Sequence, residues 1–232
     1  SYTRAAWLSV ICAAFVGALV YFKVNFKLLS FVAILSIGMI YAQWDKIQMV
    51  LAKNTHEHTT EAFDEKIQSA ANVTTDASNL ERINRWDCAY QMFKKKPLIG
   101  FGPGTYAFEY AAFQDPENLT IISTNFGDMG NAHSEYLSAL SESGLIGMLL
   151  FMSVVAAIFY STIRLYHRYE KNNDVKILVM GIIVSLASYF IHAFLNNYLD
   201  TDKAAIPIWA MCAMVVSMTI SLSASGQSKG MD

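Results

Sequence analysis

The stretch HSEYLSALSESGLIGMLLFMSVVAAIFYSTIR, residues 133–164, decides the fold. Its opening is polar and spaced like a helix, and Ser134 stands where it would cap that helix. Its remainder, residues 144–163, holds no ionisable group beyond a tyrosine hydroxyl. At 1.5 Å per residue such a segment covers roughly 30 Å, the thickness of a bilayer's hydrocarbon core. Four further stretches read the same way: residues 5–22, 28–44, 177–195 and 206–222. Apart from His192 they carry only cysteine thiols and tyrosine hydroxyls as titratable groups. The chain is 54% hydrophobic and only 16% charged, and the apolar residues are clustered rather than spread. That pattern excludes an ordinary soluble domain and predicts an all-α integral membrane protein. The expected architecture is a bundle of about five transmembrane helices with one large helical extracytoplasmic loop.

The short connection 23–27 carries Lys23 and Lys27 with no acid, and 164–176 carries Arg164, Arg168, Lys171 and Lys176 against Glu170 and Asp174. Lys and Arg concentrate in cytoplasmic loops, so both connections are expected inside. Residues 45–143, the turn 196–205 and the residues before the first helix then lie outside. Four segments follow: 1–44 with two transmembrane helices, 45–143 as the outer loop, 144–222 with three transmembrane helices, and 223–232 as a disordered tail. Within the loop, 45–79 reads as a helix and a mobile connector. Residues 80–96, LERINRWDCAYQMFKKK, space Leu80, Ile83, Trp86, Tyr90 and Phe93 at three- and four-residue steps, which predicts an amphipathic helix ended by Pro97 and Gly100. Such a helix either lies on a membrane surface or packs over the bundle. Ser1-Tyr2-Thr3-Arg4 is neither an initiation product nor a signal-peptide start, so the chain is expected to be the C-terminal part of a longer protein.

Several patterns carry little chemistry. Cys12, Cys88 and Cys212 have no partner at a disulfide or zinc spacing and read as small hydrophobes. His56 and His58 lack further ligands. The GFGPG run at 100–104 suggests a phosphate-cradling loop, but no Lys-Ser/Thr follows and no helix is expected there. The acidic pair in DTD, 200–202, reads as a turn, and the sequons at Asn72 and Asn118 are weak patterns. No metal site and no cofactor is expected, and nothing points to nucleic acid.

Three features are cationic or basic and fall on the outer side. Arg4 stands just before an apolar helix, where it either snorkels to lipid headgroups or meets a partner. Arg82 and Arg85, three apart on a helix, suit two-pronged binding of phosphate oxygens, or else form a solvated face with Glu81 and Asp87. His133 has a proton affinity suited to base chemistry at neutral pH, or is simply a loop histidine; a helix from Ser134 would set it near Leu137, Leu140 and Gly144. Together these groups suit an anionic, lipid-borne substrate, for which a pyrophosphate on a lipid carrier is the natural candidate.

Three patterns resemble the C-terminal portion of the O-antigen ligase and O-antigen polymerase family of bacterial inner-membrane proteins. SYTRAAW looks like the family's Ser/Thr-Arg-Gly/Ala-Ala signature, with Ala5 where Gly is often found. ERINRWDCAYQMFKKKPLIGFGPGTY looks like its Arg-x-x-x-Trp and Pro-Leu-x-Gly-x-Gly-x-Gly segment, and NAHSEYLSALSESGLIG like its His motif. The resemblance spans most of residues 1–150. It implies a glycosyltransferase working on the periplasmic face of the inner membrane, whose donor is a glycan on undecaprenyl pyrophosphate. The acceptor is the lipid A core or another lipid-linked glycan. Mapped by motif, His133, Arg82 and Arg4 are the implied catalytic residues; Arg85, Trp86, Glu135 and Glu142 are the implied substrate contacts. His133 would position or deprotonate the acceptor hydroxyl, while the arginines would hold the departing pyrophosphate. The same motifs serve transfer to a protein acceptor. A transporter would need ionisable residues at mid-membrane, where only His192 comes near. A receptor would need an outer loop that folds alone, and no alternating strands are seen in 45–143.

Overall fold

The computed structural model describes residues 2–24, 77–116, 119, 123, 130–169 and 172–228. The second expected span, 28–44, most of the 45–79 connector with His56 and His58, and both sequon asparagines lie outside these residues. Residues 1–17 and 73–232 form one compact unit and 18–72 a second; the account below concerns the first.

Among the described residues the helices are α1 (Tyr2–Tyr21), α2 (Ala77–Lys95), α3 (Tyr106–Glu109), which runs into a 3-10 turn (Tyr110–Phe113), α4 (Glu135–Arg168), α5 (Asn173–His192) and α6 (Asp202–Ser228). Three of them, α4, α5 and residues 202–221 of α6, are long and apolar enough to cross a membrane. Among the described residues, three of the about five expected spans are thus present, and α1 is a shorter apolar helix over Ala6–Tyr21. Helix α6 continues to Ser228, past the boundary expected at 222.

The three long helices share a core of Val155, Ile182, Leu186, Phe190, Ile208, Cys212 and Val215. Their outward surfaces keep Leu149, Leu150, Ile177, Ile206, Trp209 and Ile220 exposed. Side chains of that kind over whole helix faces are stable against lipid tails and not against water. Helix α1 meets α5 through close approaches: Ser9 Oγ lies 3.3 Å from Ser188 Oγ. A Cβ at Gly17 would come within 2.8 Å of Val184. Small residues at helix contacts are how membrane helices gain packing without a hydrophobic driving force. Beside this contact a groove of about 500 Å³ is lined by Ala6, Ser9, Ser185, Ser188 and His192. The start of α1 therefore lies at the same end of the bundle as the end of α5.

Helix α2 occupies the predicted position, and its buried face is largely polar. Of its apolar positions, Ile83 and Tyr90 are exposed, whereas Glu81, Arg82, Asn84, Arg85, Cys88, Ala89 and Met92 are buried. The reason is the segment it packs against. Tyr106, Tyr110 and Ala132 join Cys88, Ala89 and Met92 in a second small core, and small side chains on α2 let those rings approach its backbone.

Helix α4 is broken at Gly144, whose φ is +65° and ψ −165°. The break exchanges two rungs of the helical ladder with the segment 97–102. In an unbroken helix the amides of Leu145 and Ile146 would donate to Ser141 and Glu142. Here they donate to the carbonyls of Pro97 (2.8 Å) and Leu98 (3.3 Å). The freed carbonyls of Ser141 and Glu142 accept from Phe101 N–H (3.2 Å) and Gly102 N–H (2.8 Å). These four backbone groups opened by the kink are thus satisfied, as a buried break needs.

Candidate active site

Residues 131–134 form the turn that carries His133. Ser134 is extended (φ −164°, ψ 123°), and its side chain accepts from Leu137 N–H, so it caps α4 as its sequence position suggests. His133 precedes the helix with a left-handed φ of 47°, so it does not share a helical face with Leu137 and Leu140. A non-glycine residue in that conformation is costly and is held there by its neighbours. His133 N–H donates to the Asn131 side-chain carbonyl at 3.1 Å.

Arg85 is fixed from four directions. Its Nε donates to Glu81 Oε1 at 2.9 Å and a terminal nitrogen donates to the Asn131 carbonyl at 3.2 Å. Its guanidinium carbon lies 5.3 Å from the centre of the Tyr110 ring. The Arg85 backbone carbonyl accepts from the Tyr106 hydroxyl at 2.7 Å. Tyr106 and Tyr110 stack in parallel with centroids 5.3 Å apart. A Cβ at Gly130 would fall 2.4 Å from the Tyr110 ring, so only glycine fits beside it. Glu81, only 3% exposed, also accepts from Ser123 Oγ. Asn131 therefore ties the arginine helix to the histidine turn.

Arg82 and Arg85 are each 9% exposed, which overturns the alternative of a solvated face. Their charges are felt at His133: burial first, then Arg85 and Arg82, push its imidazole down to about 4, with Glu81 pulling the other way. His133 is consequently neutral at physiological pH and free to accept a proton. The buried Cys88 thiol is pushed up to about 12 by burial and by Asp87 and Glu81, so no thiolate nucleophile is present there. Burial likewise raises the Tyr106 phenol, leaving it a donor.

The remaining candidates have other surroundings. Glu135 is buried, and its Oε1 accepts from Tyr189 OH at 2.7 Å and from Leu199 N–H at 2.8 Å. Its own N–H donates to the Ala193 carbonyl at 3.0 Å, which locks the start of α4 onto the end of α5. Glu142 accepts from Gly104 N–H (3.0 Å) and Tyr106 N–H (2.9 Å). A short helix does start beside the GFGPG run, but the Glu142 carboxylate occupies the place a phosphate would take. Trp86 has a buried indole N–H with no partner among the described residues. Arg4 belongs to the first turn of α1, at the end of the bundle where α5 meets the His133 turn. Asp200 accepts from Asn197 at 2.8 Å, as a turn residue does.

Glu81, Asn131, Tyr106 and Tyr110 were not singled out from sequence. Asn131 lies within the quoted His motif and Glu81 next to Arg82, but their roles depend on contacts 46 and 42 residues apart along the chain.

No curated protein and no solved structure matches the chain. The family model for O-antigen ligase matches residues 1–152, a stretch holding α1, the arginine helix, the glycine segment and the His133 turn. Covering 152 of 232 residues, that match places the chain in the O-antigen ligase family.

Proposed function

We propose that the protein is a membrane glycosyltransferase that moves a glycan from undecaprenyl pyrophosphate to an acceptor sugar in O-antigen or related polysaccharide assembly, on the periplasmic face of the inner membrane. The observation that carries this reading is the meeting of two buried arginines with a neutral histidine beside the start of a membrane-spanning helix. Guanidinium groups bind diphosphate oxygens in a two-pronged fashion, and a lipid-linked diphosphate is an anion that reaches such a site from the bilayer.

In the proposed reaction His133 takes the proton of the acceptor hydroxyl. The acceptor oxygen attacks the anomeric carbon of the donor as the bond from that carbon to the diphosphate oxygen breaks. The electron pair leaves on the diphosphate, whose charge Arg82, Arg85 and Arg4 stabilise. A diphosphate beside the arginines also offsets their repulsion of an imidazolium. The base therefore strengthens when the donor is bound, which is when it is needed.

The test is His133→Ala in the full-length protein in cells, read as surface glycolipid size on a gel. Loss of all attached chains, with long polymers accumulating on the lipid carrier, is the outcome expected of a ligase. Acceptors bearing a single repeat are expected of a polymerase. An unchanged ladder with the variant still in the membrane removes His133 from the chemistry.

A further inference from the structure

The turn formed by residues 97–99 exposes two large aliphatic side chains, Leu98 at 61% and Ile99 at 73%. Its depth relative to the bilayer is set by backbone geometry. Pro97 and Leu98 accept from the amides of Leu145 and Ile146, the first residues after the break in α4. Gly144 lies so close that a Cβ there would sit 2.4 Å from the Leu98 carbonyl carbon. Leu145 and Ile146 are themselves exposed and open the apolar surface that continues through Leu149 and Leu150. The turn thus stands level with Leu145 and Ile146, where the exposed apolar run of α4 begins, and extends that surface sideways. Immediately before it, Lys94, Lys95 and Lys96 are all exposed. Each ammonium is held over an aromatic ring, at 4.7 Å from Tyr90, 5.3 Å from Phe113 and 4.3 Å from Phe101 respectively.

We propose that this turn is a membrane-insertion element: Leu98 and Ile99 enter the lipid at the Gly144 end of α4, and the three lysines meet the phosphates of anionic phospholipid. Aliphatic side chains flanked by lysines are the composition that binds an interface, since burial of apolar area and attraction to lipid phosphate act together. The insertion anchors the segment that ends in the Tyr106 and Tyr110 stack beneath Arg85, and so holds the arginines at a constant height over the bilayer. It does not depend on the transfer reaction proposed above, and its test reads no activity.

The experiment places a photoreactive benzophenone amino acid at position 99 of the full-length protein in vesicles of phosphatidylethanolamine and phosphatidylglycerol. Position 149 on the exposed face of α4 serves as a lipid-facing standard and position 109 as a standard in the loop. After irradiation, phospholipid adducts are measured by mass. The expected yield at 99 is within about threefold of that at 149. Phosphatidylglycerol should be enriched in the adduct over its bulk share, and Lys94→Gln, Lys95→Gln and Lys96→Gln together should abolish the enrichment. Adducts at 99 no more frequent than at 109 overturn insertion, as do crosslinks from 99 to another part of the chain. Enrichment that survives the triple substitution overturns the role of the lysines. Should the probe at 99 prevent accumulation, position 98 gives the same reading.

Discussion

At the scale of residues, the site is governed by charge held out of water. His133 is pushed down to about 4 by burial and by two guanidinium groups, so its pH behaviour has a definite sign. The unfolded imidazole takes a proton near the model-peptide pKa of about 6.5. Stability linked to His133 is therefore complete above that pH and declines as pH falls toward 4. Thermal melts at pH 7 and pH 5 should show a drop that His133→Asn reduces. In kinetics, the acid limb of kcat/KM reports the free enzyme and that of kcat the loaded one. With a diphosphate offsetting the arginines, the limb of kcat should lie at higher pH than that of kcat/KM; coincident limbs would sink that coupling. Arg85→Gln removes one of the two cations that push the His133 imidazole down, so its pKa should rise. The kcat/KM limb should move to higher pH, and loss of the buried Arg85–Glu81 pair should cost about 3–5 kcal/mol in a melt. The sequence displayed Arg82, Arg85 and His133 as candidates because cations near an apolar segment demand an explanation. It did not display Glu81 and Asn131, because a carboxylate beside an arginine looks the same on a wet surface as in a buried pair.

At the scale of elements, the break in α4 is the joint on which the site is assembled. Gly100 and Gly144 both have φ near +65°, and each faces the backbone of the other's segment, with a Cβ at Gly100 reaching 2.3 Å from the Glu142 carbonyl carbon. Backbone cannot retreat as a flexible side chain can. Gly144→Ala or Gly100→Ala should each cost more than about 3 kcal/mol, read as loss of folded protein from detergent melts. Glu142→Gln keeps one acceptor oxygen for two amides and should cost about 1–2 kcal/mol without abolishing folding. A larger activity loss than that stability change explains would support Glu142 as a substrate contact. The helix of α2 was legible from its periodicity, but the choice of inward face was not. Hydrophobic spacing finds the helix but does not say which of its faces meets protein, and here Ile83 and Tyr90 stay exposed while a polar face is buried.

At the scale of the molecule, three long helices pack around Leu186 and Val215 while their outer faces stay apolar. In lipid the unfolded reference also lies in hydrocarbon, so truncating a core residue forfeits packing but little transfer energy. Leu186→Ala should consequently cost about 1–3 kcal/mol, less than the same change in a water-soluble core. A loss of 4–5 kcal/mol, measured by detergent-based unfolding, would show that the transfer contribution is not absent after all.

The sequence alone determined that the chain is helical and membrane-embedded, because uninterrupted apolar runs of bilayer length have few other stable solutions. It also picked out the three motifs that frame the candidate site, since these are local patterns. Only the tertiary structure decided which face of α2 is buried, that Arg85 is held by Glu81, Asn131 and Tyr110, and that a broken helix exchanges its rungs with residues 97–102. These depend on groups far apart in sequence, where hydrogen-bond satisfaction and close packing act on the folded arrangement rather than on any local pattern.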